Sequence, residues 1–379
     1  MKNVKIIIGA NYGDEGKGLL TRHFVKQAKN PIVVFHNGTA QRGHTVDYNP
    51  SFRHVYHHFG CGTGDGAPTY FADTFWIHPM EFRREWNELV ASGIFPRCYC
   101  DANAHVVTPF DMLVDHTTEA YITWDHQEPE HGSCGYGTWC ATDRFNGHYT
   151  IGEYKKAIEN HTVDDLLEDA WFHCVSELVF REVDIDKVPE FIKYFSDPVV
   201  KETTKFHFID DLKFFFKQVT FINFNTIYNH YDDIIFENGQ GLGLDQNCGS
   251  EWHTTSNTGL TNPAAMLKNK DNFNAEICYV TRSYATRHGI GDMYNEAPKD
   301  EINEDMFDRT NITNEFQGSL RYGYPEASAM VKRIEKDFSI VATDNHFKKS
   351  LAVTHCNEFP NFEKDALYLS NNPYSVFKK

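Results

Sequence analysis

The sequence has no apolar stretch of the roughly 18 residues needed to cross a bilayer, and no tract of clustered lysine and arginine. The first absence argues against a membrane span. The second, with a formal net charge of -17, argues against nucleic-acid binding, because an acidic surface repels phosphate backbones. Any nucleotide must then be held by local positive groups. There is no CxxC pair among the nine cysteines, and their scatter through a long chain favours reduced thiols of the cytoplasm over a disulfide framework. No repeat, low-complexity tract or Pro/Ser-rich linker divides the chain. The N-terminus enters an apolar run at Val4–Ile8 without a charged-then-apolar leader pattern. These features predict a cytoplasmic protein, in the host cytoplasm if the source is viral.

What is present is a chain of 379 residues, 41% hydrophobic and 15% aromatic, enough for a large buried core. Lys5–Gly9 reads as a buried parallel strand, since it is a short β-branched run ended by glycine, and Lys17–Lys26 reads as a helix after a Gly-rich loop. Pro31–Phe35 is a second strand. Strand, loop, helix, strand is the opening of a doubly wound α/β sheet. Asp233–Phe236, Glu276–Val280 and Ser350–Val353 are further strands, each followed by a polar or glycine-rich turn. Helices are expected at Pro79–Leu89, Asp164–Phe180 and Ala327–Lys336. The expectation is one α/β domain over residues 1–379 with a mainly parallel, doubly wound central sheet. A peripheral, mostly helical segment occupies about 150–231.

The loop from Gly9 to Gly18 sets Gly13, Asp14, Glu15, Gly16 and Lys17 between a strand and a helix N-terminus. Backbone N–H groups, the helix dipole and Lys17 suit phosphate oxygens. It departs from a P-loop, because Asn11 stands at the first glycine position and Gly18 replaces the Ser or Thr that ligates Mg2+. Asp14 is the available oxygen ligand, and it can also take a proton from substrate. His44 follows the second strand and so faces the same sheet edge, where a carboxylate and an imidazole can divide acid and base work on one heterocycle. His54, His57 and His58 invite a metal reading, but a strand would send His57 to the face opposite the other two. Ser133–Cys134 lies in a glycine-rich loop that can bind phosphate, and Cys134 has no local histidine to make it a nucleophile. The run Thr254–Thr258 suits a phosphate or sugar or is an ordinary polar turn. Arg282, Arg287 and Arg321 are candidate anion ligands or surface ion pairs.

Taken together these motifs resemble adenylosuccinate synthetase, the family of GTP-dependent ligases that join aspartate to C6 of IMP. Gly13-Asp14-Glu15-Gly16-Lys17-Gly18 is similar to its phosphate loop and Gly43-His44-Thr45 to its catalytic histidine segment. Phe236-Glu237-Asn238-Gly239-Gln240-Gly241 is similar to its Phe-Glu-Gly-Ala-Gln-Gly element, Thr254–Thr258 to its Thr-Ser-Ser-Asn-Thr run, and Ser283–Arg287 to its Tyr-Ser-Thr-Arg segment. The resemblance implies a single α/β domain working as a homodimer. It implies that Asp14 takes the purine N1 proton and binds Mg2+, with Gly43 as a second Mg2+ ligand, that His44 stabilises the γ-phosphoryl group on its way to O6, and that Lys17 neutralises the donor. Asn11, Gly13, Glu15, Gly16, Gly18, Gly43, Thr45, Thr354 and Asn357 would hold the nucleoside triphosphate. Gln41, Ser133, Cys134, Arg144, Gln240, Thr254 and Arg287 would hold the purine mononucleotide, and Ser319 and Arg321 the aspartate.

The departures are informative. Thr39-Ala40-Gln41-Arg42 replaces the family's Gly-His-Asn-Ala, so Gln41 stands in for a substrate-binding asparagine. The arginine-rich aspartate loop is reduced to Gly318–Gly323, with one guanidinium. Val353–Asn357 replaces a Thr-Lys-Leu-Asp motif. A carboxylate accepts from guanine N1–H and its 2-amino group together, whereas Asn357 offers one acceptor and one donor and suits adenine. This also resembles the phage branch of the family, which acts on dGMP, although members of that branch often carry serine at the position of Asp14. The expected activity is ligation of aspartate to C6 of a 6-oxopurine mononucleotide, dGMP slightly ahead of IMP, driven by ATP or GTP. The alternatives are a conventional enzyme acting on IMP with GTP and a nucleotide-binding homologue with weakened turnover.

Overall fold

A computed structural model describes residues 1–126, 132–143, 149–248, 257–306, 308, 311, 318–359 and 363–379. At its centre is a ten-stranded sheet: β1 (Lys2–Gly9), β2 (Pro31–Phe35), β3 (Thr69–Phe71), β4 (Cys98–Cys100), β5 (Val219–Phe221), β6 (Asp233–Gly241), β7 (Phe273–Arg282), β8 (Phe347–Thr354), β9 (Tyr368–Asn372) and β10 (Ser375–Lys378). The spatial order is β10-β9-β8-β7-β1-β6-β2-β3-β4-β5. Every neighbouring pair is parallel except β9 with β10. The mainly parallel sheet expected from the apolar runs is therefore present, and β6 and β7 flank the first strand although they come more than 200 residues later.

Alternation along each strand shows why the sheet is covered on both faces. Ile7, Val33, Phe35, Ile235, Cys278 and Val280 enter one buried cluster, which also takes Leu20 and Phe24 of helix α1 (Lys17–Gln27). Val4, Ile6, Ile8, Ile32, Val34, Ile234, Phe236, Ile277 and Tyr279 enter a second, with Met330 and Ile334 of the Ala327–Phe338 helix. Both helix pairs are spaced i, i+4 and so share one helix face. Side chains at successive strand positions point to opposite faces, so a run without polar interruption demands helices on both.

Segment 150–231 holds helices Ile151–Glu159, Val163–Phe180, Pro189–Ser196, Pro198–Gln218 and Phe224–His230. It also supplies the edge strand β5, which its composition did not signal. Phe208, Leu212 and Phe215 of the long helix join the same core cluster as Phe71 and Phe82, so this segment completes one side of the core. Helices Pro79–Ala91, Val163–Phe180 and Ala327–Phe338 match the expected ones with ends displaced by one or two residues. The three-residue strands β3 and β4 were too short to leave a periodic signal. All nine cysteines are free thiols. Among the described residues, no helix is long and apolar enough to cross a membrane.

Candidate active site at the carboxyl edge of the sheet

The carboxyl ends of β1, β6, β7 and β8 lie side by side, with Gly9 registered on Gly241 and Val280, and Arg282 on Thr354. Ligands of open α/β sheets gather at this edge. The loop after β1 is shaped by its own glycines and by Glu15. Gly13 (φ 118°) and Gly16 (φ 92°) are in the left-handed region, which other residues adopt at a cost. The Glu15 carboxylate accepts from Asn11 N at 3.1 Å and Gly13 N at 2.8 Å. Glu15 therefore acts inside the loop, as a clasp on its backbone. The Asn11 side chain ties the loop outward, donating to Thr281 Oγ1 (2.9 Å) and accepting from Arg333 (3.1 Å). Thr354 Oγ1 donates to Glu15 O at 2.8 Å, and Arg282 donates to Asp14 O at 2.5 Å.

Lys17 is 1% exposed; its ammonium donates to Gly13 O and lies 3.6 Å from Glu15. Burial pulls the Lys17 pKa down and pushes that of Glu15 up, while their mutual attraction opposes both. An arriving phosphate adds negative charge beside Lys17 and favours the ammonium. The Asp14 side chain is half-buried and makes no hydrogen bond among the described residues.

Gly18 explains the lost P-loop hydroxyl. A Cβ there would stand 2.8 Å from Thr45 O and 2.9 Å from Cys61 Sγ. The first turn of α1 thus lies directly against the strand that begins at His44, which pairs with Phe52–Tyr56 in a hairpin. Only glycine permits that approach.

His44 is 6% exposed, and its Nδ1 is 2.5 Å from a carboxylate oxygen of Glu237, which is 0% exposed. The other oxygen of Glu237 accepts from Cys61 N at 3.0 Å. Burial lowers the His44 pKa to about 4, against the pull of Glu237. Burial also opposes the charge on Glu237, but the hydrogen bonds from His44 and Cys61 hold its pKa below the usual range. An ionised carboxylate only accepts, so Nδ1 carries the proton and Nε2 keeps its lone pair. His44, Cys61 and Glu237 bring possible metal ligands within 4.8 Å of one another, but His44 Nδ1 and one Glu237 oxygen are already bonded to each other, and the Cys61 thiol donates to His44 O at 3.7 Å. Glu237 and Arg333 were not singled out from sequence, and Arg282 was a candidate anion ligand or surface ion pair and not a support of the loop; for Glu237 the signal was its position within a matched motif.

The remaining candidates divide. Gln240 adopts φ 59° at the end of β6, and its Oε1 is buried without a partner among the described residues; strain of this kind concentrates where a ligand is met. Gly43 is exposed, and the Thr45 hydroxyl is buried, also without a partner among the described residues. Gln41 is turned back on its own loop, accepting from Thr39 N at 2.6 Å. The Ser133 hydroxyl donates to the buried Asp115 carboxylate at 2.7 Å, and burial pushes the Cys134 thiol up to about 12, which disfavours the thiolate. Arg287 is buried, donates to Ile290 O and Asp292 O, and lies over the Tyr12 ring. Arg321 makes a two-pronged pair with Glu296 and also donates to Gly289 O and Gly291 O. An aspartate carboxylate would have to displace Glu296. Asn357 and Ser319 are exposed. Arg144 and Thr254 lie outside the described residues. The three histidines go separate ways: His54 to Glu85, His57 to Ala40 O, and His58 to His78 N.

The Asp14 carboxylate and the Gly43 carbonyl are hard oxygen ligands; among the described residues the Asp14 carboxylate makes no hydrogen bond and Gly43 is exposed, which fits Mg2+.

Comparison with known proteins agrees with this geometry. Residues 6–321 match the family model described as adenylosuccinate synthetase. The adenylosuccinate synthetase of Tropheryma whipplei is 25% identical over 298 residues, which is 76% of this chain and 63% of that protein. The chain thus spans less than two thirds of this relative's length. Two solved structures share the fold. A fully ligated adenylosuccinate synthetase from Plasmodium falciparum matches with a TM-score of 0.61 and 19% identity, over 92% of this chain and 76% of that one. The succinoaminodeoxyadenylate synthetase of cyanophage S-2L, bound to dGMP and to dATP as an energy donor, matches with a TM-score of 0.64 and 15% identity, over 100% and 95%. With a family model covering most of its length and the same sheet edge carrying the matched motifs, the chain belongs to the adenylosuccinate synthetase family.

Proposed function

We propose that this protein joins L-aspartate to C6 of a 6-oxopurine mononucleotide through a 6-phosphoryl intermediate, with dGMP the preferred purine and ATP or GTP the donor. The observation that carries the reading is the buried His44–Glu237 pair in electrostatic reach of the buried Lys17, with the Asp14 carboxylate, which makes no hydrogen bond among the described residues, also near Lys17. Asp14 removes the N1 proton and concentrates negative charge on O6, which attacks the γ-phosphorus as the nucleoside diphosphate departs. His44 in the resting state has a lone pair at Nε2. A polyphosphate beside it favours the imidazolium, whose two N–H groups face Glu237 and the transferring phosphoryl oxygens. The aspartate amine then adds to C6, loses a proton, and expels phosphate. Asp14 and the Gly43 carbonyl are the residues that would hold Mg2+, which would supply charge neutralisation.

Gln240, and Gln41 once it leaves Thr39 N, present amides to the purine, with Ser133, Cys134, Arg144, Thr254 and Arg287 completing its site. Ser319 and Arg321 are the aspartate ligands, and Thr354–Asn357 faces the donor base. The similarity to a phage enzyme bound to dGMP and dATP favours dGMP over IMP, and the amide of Asn357 favours ATP over GTP as the donor. The enzyme works as a homodimer, following the family expectation. Phosphate release is the test, measured with aspartate, ATP or GTP, and each of dGMP, GMP and IMP. Aspartate-dependent release is expected, highest with dGMP, and abolished by Asp14→Ala or His44→Ala while nucleotide binding survives. No release with any combination refutes the ligase, and near-normal rates in either variant refute the residue roles.

A further inference from the structure

Arg42 has been given no role in the chemistry, yet it is a buried cation at the site, 4% exposed. Its guanidinium donates to the backbone carbonyl of Glu237 (Nη1, 3.0 Å) and to Asn37 O (Nη2), with a longer contact from Nε to Thr39 O at 3.4 Å. It lies 4.0 Å from the Phe35 ring centroid and 5.3 Å from that of Phe75. The neighbouring Asn37 side chain clasps both backbone groups of Gly239, accepting from its N at 2.9 Å and donating to its O at 3.2 Å. The loop 37–42, which leads directly into Gly43 and His44, is therefore stitched at two points to the end of β6, the strand that carries Glu237. Gly239 leaves space for the guanidinium, since a Cβ there would sit 3.0 Å from Arg42 Nη2 and 3.3 Å from Cζ.

We propose that Arg42 is a positioning residue that pins the substrate loop 37–43 to β6 before any nucleotide arrives, and that Arg42 and Gly239 form one coupled pair. Gly239 carries no side chain where the guanidinium of Arg42 lies. Arginine suits the task because its planar fork reaches several carbonyls at once while its faces stack on aromatic rings. A loop held in its bound conformation loses less entropy when the ligand binds. The loop's link to the purine mononucleotide rests on the function proposed above; the stitch itself does not.

The test uses the full chain with Arg42→Ala, Gly239→Ala and the double variant. Arg42→Met, which keeps the stem on Phe35 and Phe75 but removes the donors, covers the case in which Arg42→Ala fails to fold. Hydrogen exchange of the amides of residues 37–44 is expected to lose protection in Arg42→Met while the rest of the sheet keeps its own. The KM for the purine mononucleotide is expected to rise roughly tenfold, with kcat changed less, as for lost preorganisation. Gly239→Ala should lower the melting temperature when Arg42 is present and leave it unchanged in the Arg42→Ala background. Unchanged exchange in Arg42→Met, or an equal penalty for Gly239→Ala in both backgrounds, overturns the proposal. If the wild-type protein released no phosphate, the proposed reaction would fall, but the exchange and melting measurements would still decide the role of Arg42.

Discussion

Replacing Glu237 by Gln removes a charge at constant shape and tests the proton arrangement around His44. Glu237 is fully buried, and its two oxygens accept from His44 Nδ1 at 2.5 Å and Cys61 N at 3.0 Å. A glutamine offers one acceptor and one NH2 group. If the NH2 faces Cys61, two donors oppose each other and a buried N–H loses its partner, at a cost of about 1–3 kcal/mol. If it faces His44, the imidazole must present a lone pair at Nδ1 and carry its proton at Nε2, the opposite tautomer. Either way the imidazolium loses its counter-charge. In the first arrangement the melting temperature falls by a few degrees; in both, the phosphoryl-transfer step suffers. Loss of one acid–base group costs roughly 10²–10⁴-fold, and a carboxylate-to-amide change behind a catalytic histidine acts in that range by fixing the wrong tautomer. We therefore expect Glu237→Gln to lower kcat for phosphate release by about 10²–10⁴-fold, with nucleotide affinity by calorimetry changed little. A kcat within about threefold of wild type, less than 1 kcal/mol, would refute both the assigned tautomer and the participation of His44.

Three further outcomes follow from particular contacts. Gly18→Ser, which restores the P-loop hydroxyl, should destabilise by about 1–3 kcal/mol, because its Cβ meets Thr45 O and Cys61 Sγ; an unchanged melting temperature with tighter Mg2+ binding would show the reasoning wrong. Asn357→Asp should shift donor preference toward GTP, since the second carboxylate oxygen replaces a donor; an unchanged ATP to GTP ratio removes Asn357 from base recognition. Stability should fall on acidification from pH 7 to pH 5. Burial depresses His36, His44 and His78 to about 4 and His355 to about 3, so the unfolded chain takes up protons below its ordinary pKa near 6.5 while the fold does not. Stability present above that pKa is lost as pH falls toward 4, up to about 2 kcal/mol per histidine at pH 5. Asp337, pushed up to about 6 by burial, acts in the opposite sense, as do Glu15, Asp73, Asp115 and Asp211, whose carboxyls burial also raises, while His58 and His23, both lowered by burial, add to the histidine effect. A melting temperature constant across this range would contradict the burial of these imidazoles.

The first βαβ unit was legible because each part is encoded locally. A β-branched run of four or five residues has no other comfortable home than a buried strand, glycines at 13 and 16 meet positive φ, and Leu20 and Phe24 repeat at helical spacing. The order of the motifs along the chain likewise foretold which turns would share an edge. The segment 150–231 was less legible, because aromatic residues on all sides of its long helix blur the period, and only packing distinguishes buried Phe208 and Phe215 from exposed Phe206. Arg321 read as either an anion ligand or a surface ion pair, and only the register of the Ala285–Arg287 and Arg321–Gly323 ladder, which places it beside Arg287, and its fork on Glu296 decide between them.

The sequence by itself determined the strand-loop-helix opening, the glycines that bend it, and the presence of Asp14, Lys17 and His44 at strand ends, because backbone preference and side-chain period act over a few residues. Tertiary structure alone decided which groups meet. Glu237 stands 193 positions from His44. That contact exists because β6 pairs with β1 in a register that puts Glu237 opposite Ile7, and because Gly18 lets the His44 strand lie against α1. Pairing of this range is set by the packing of two sheet faces at once, and no local pattern carries it.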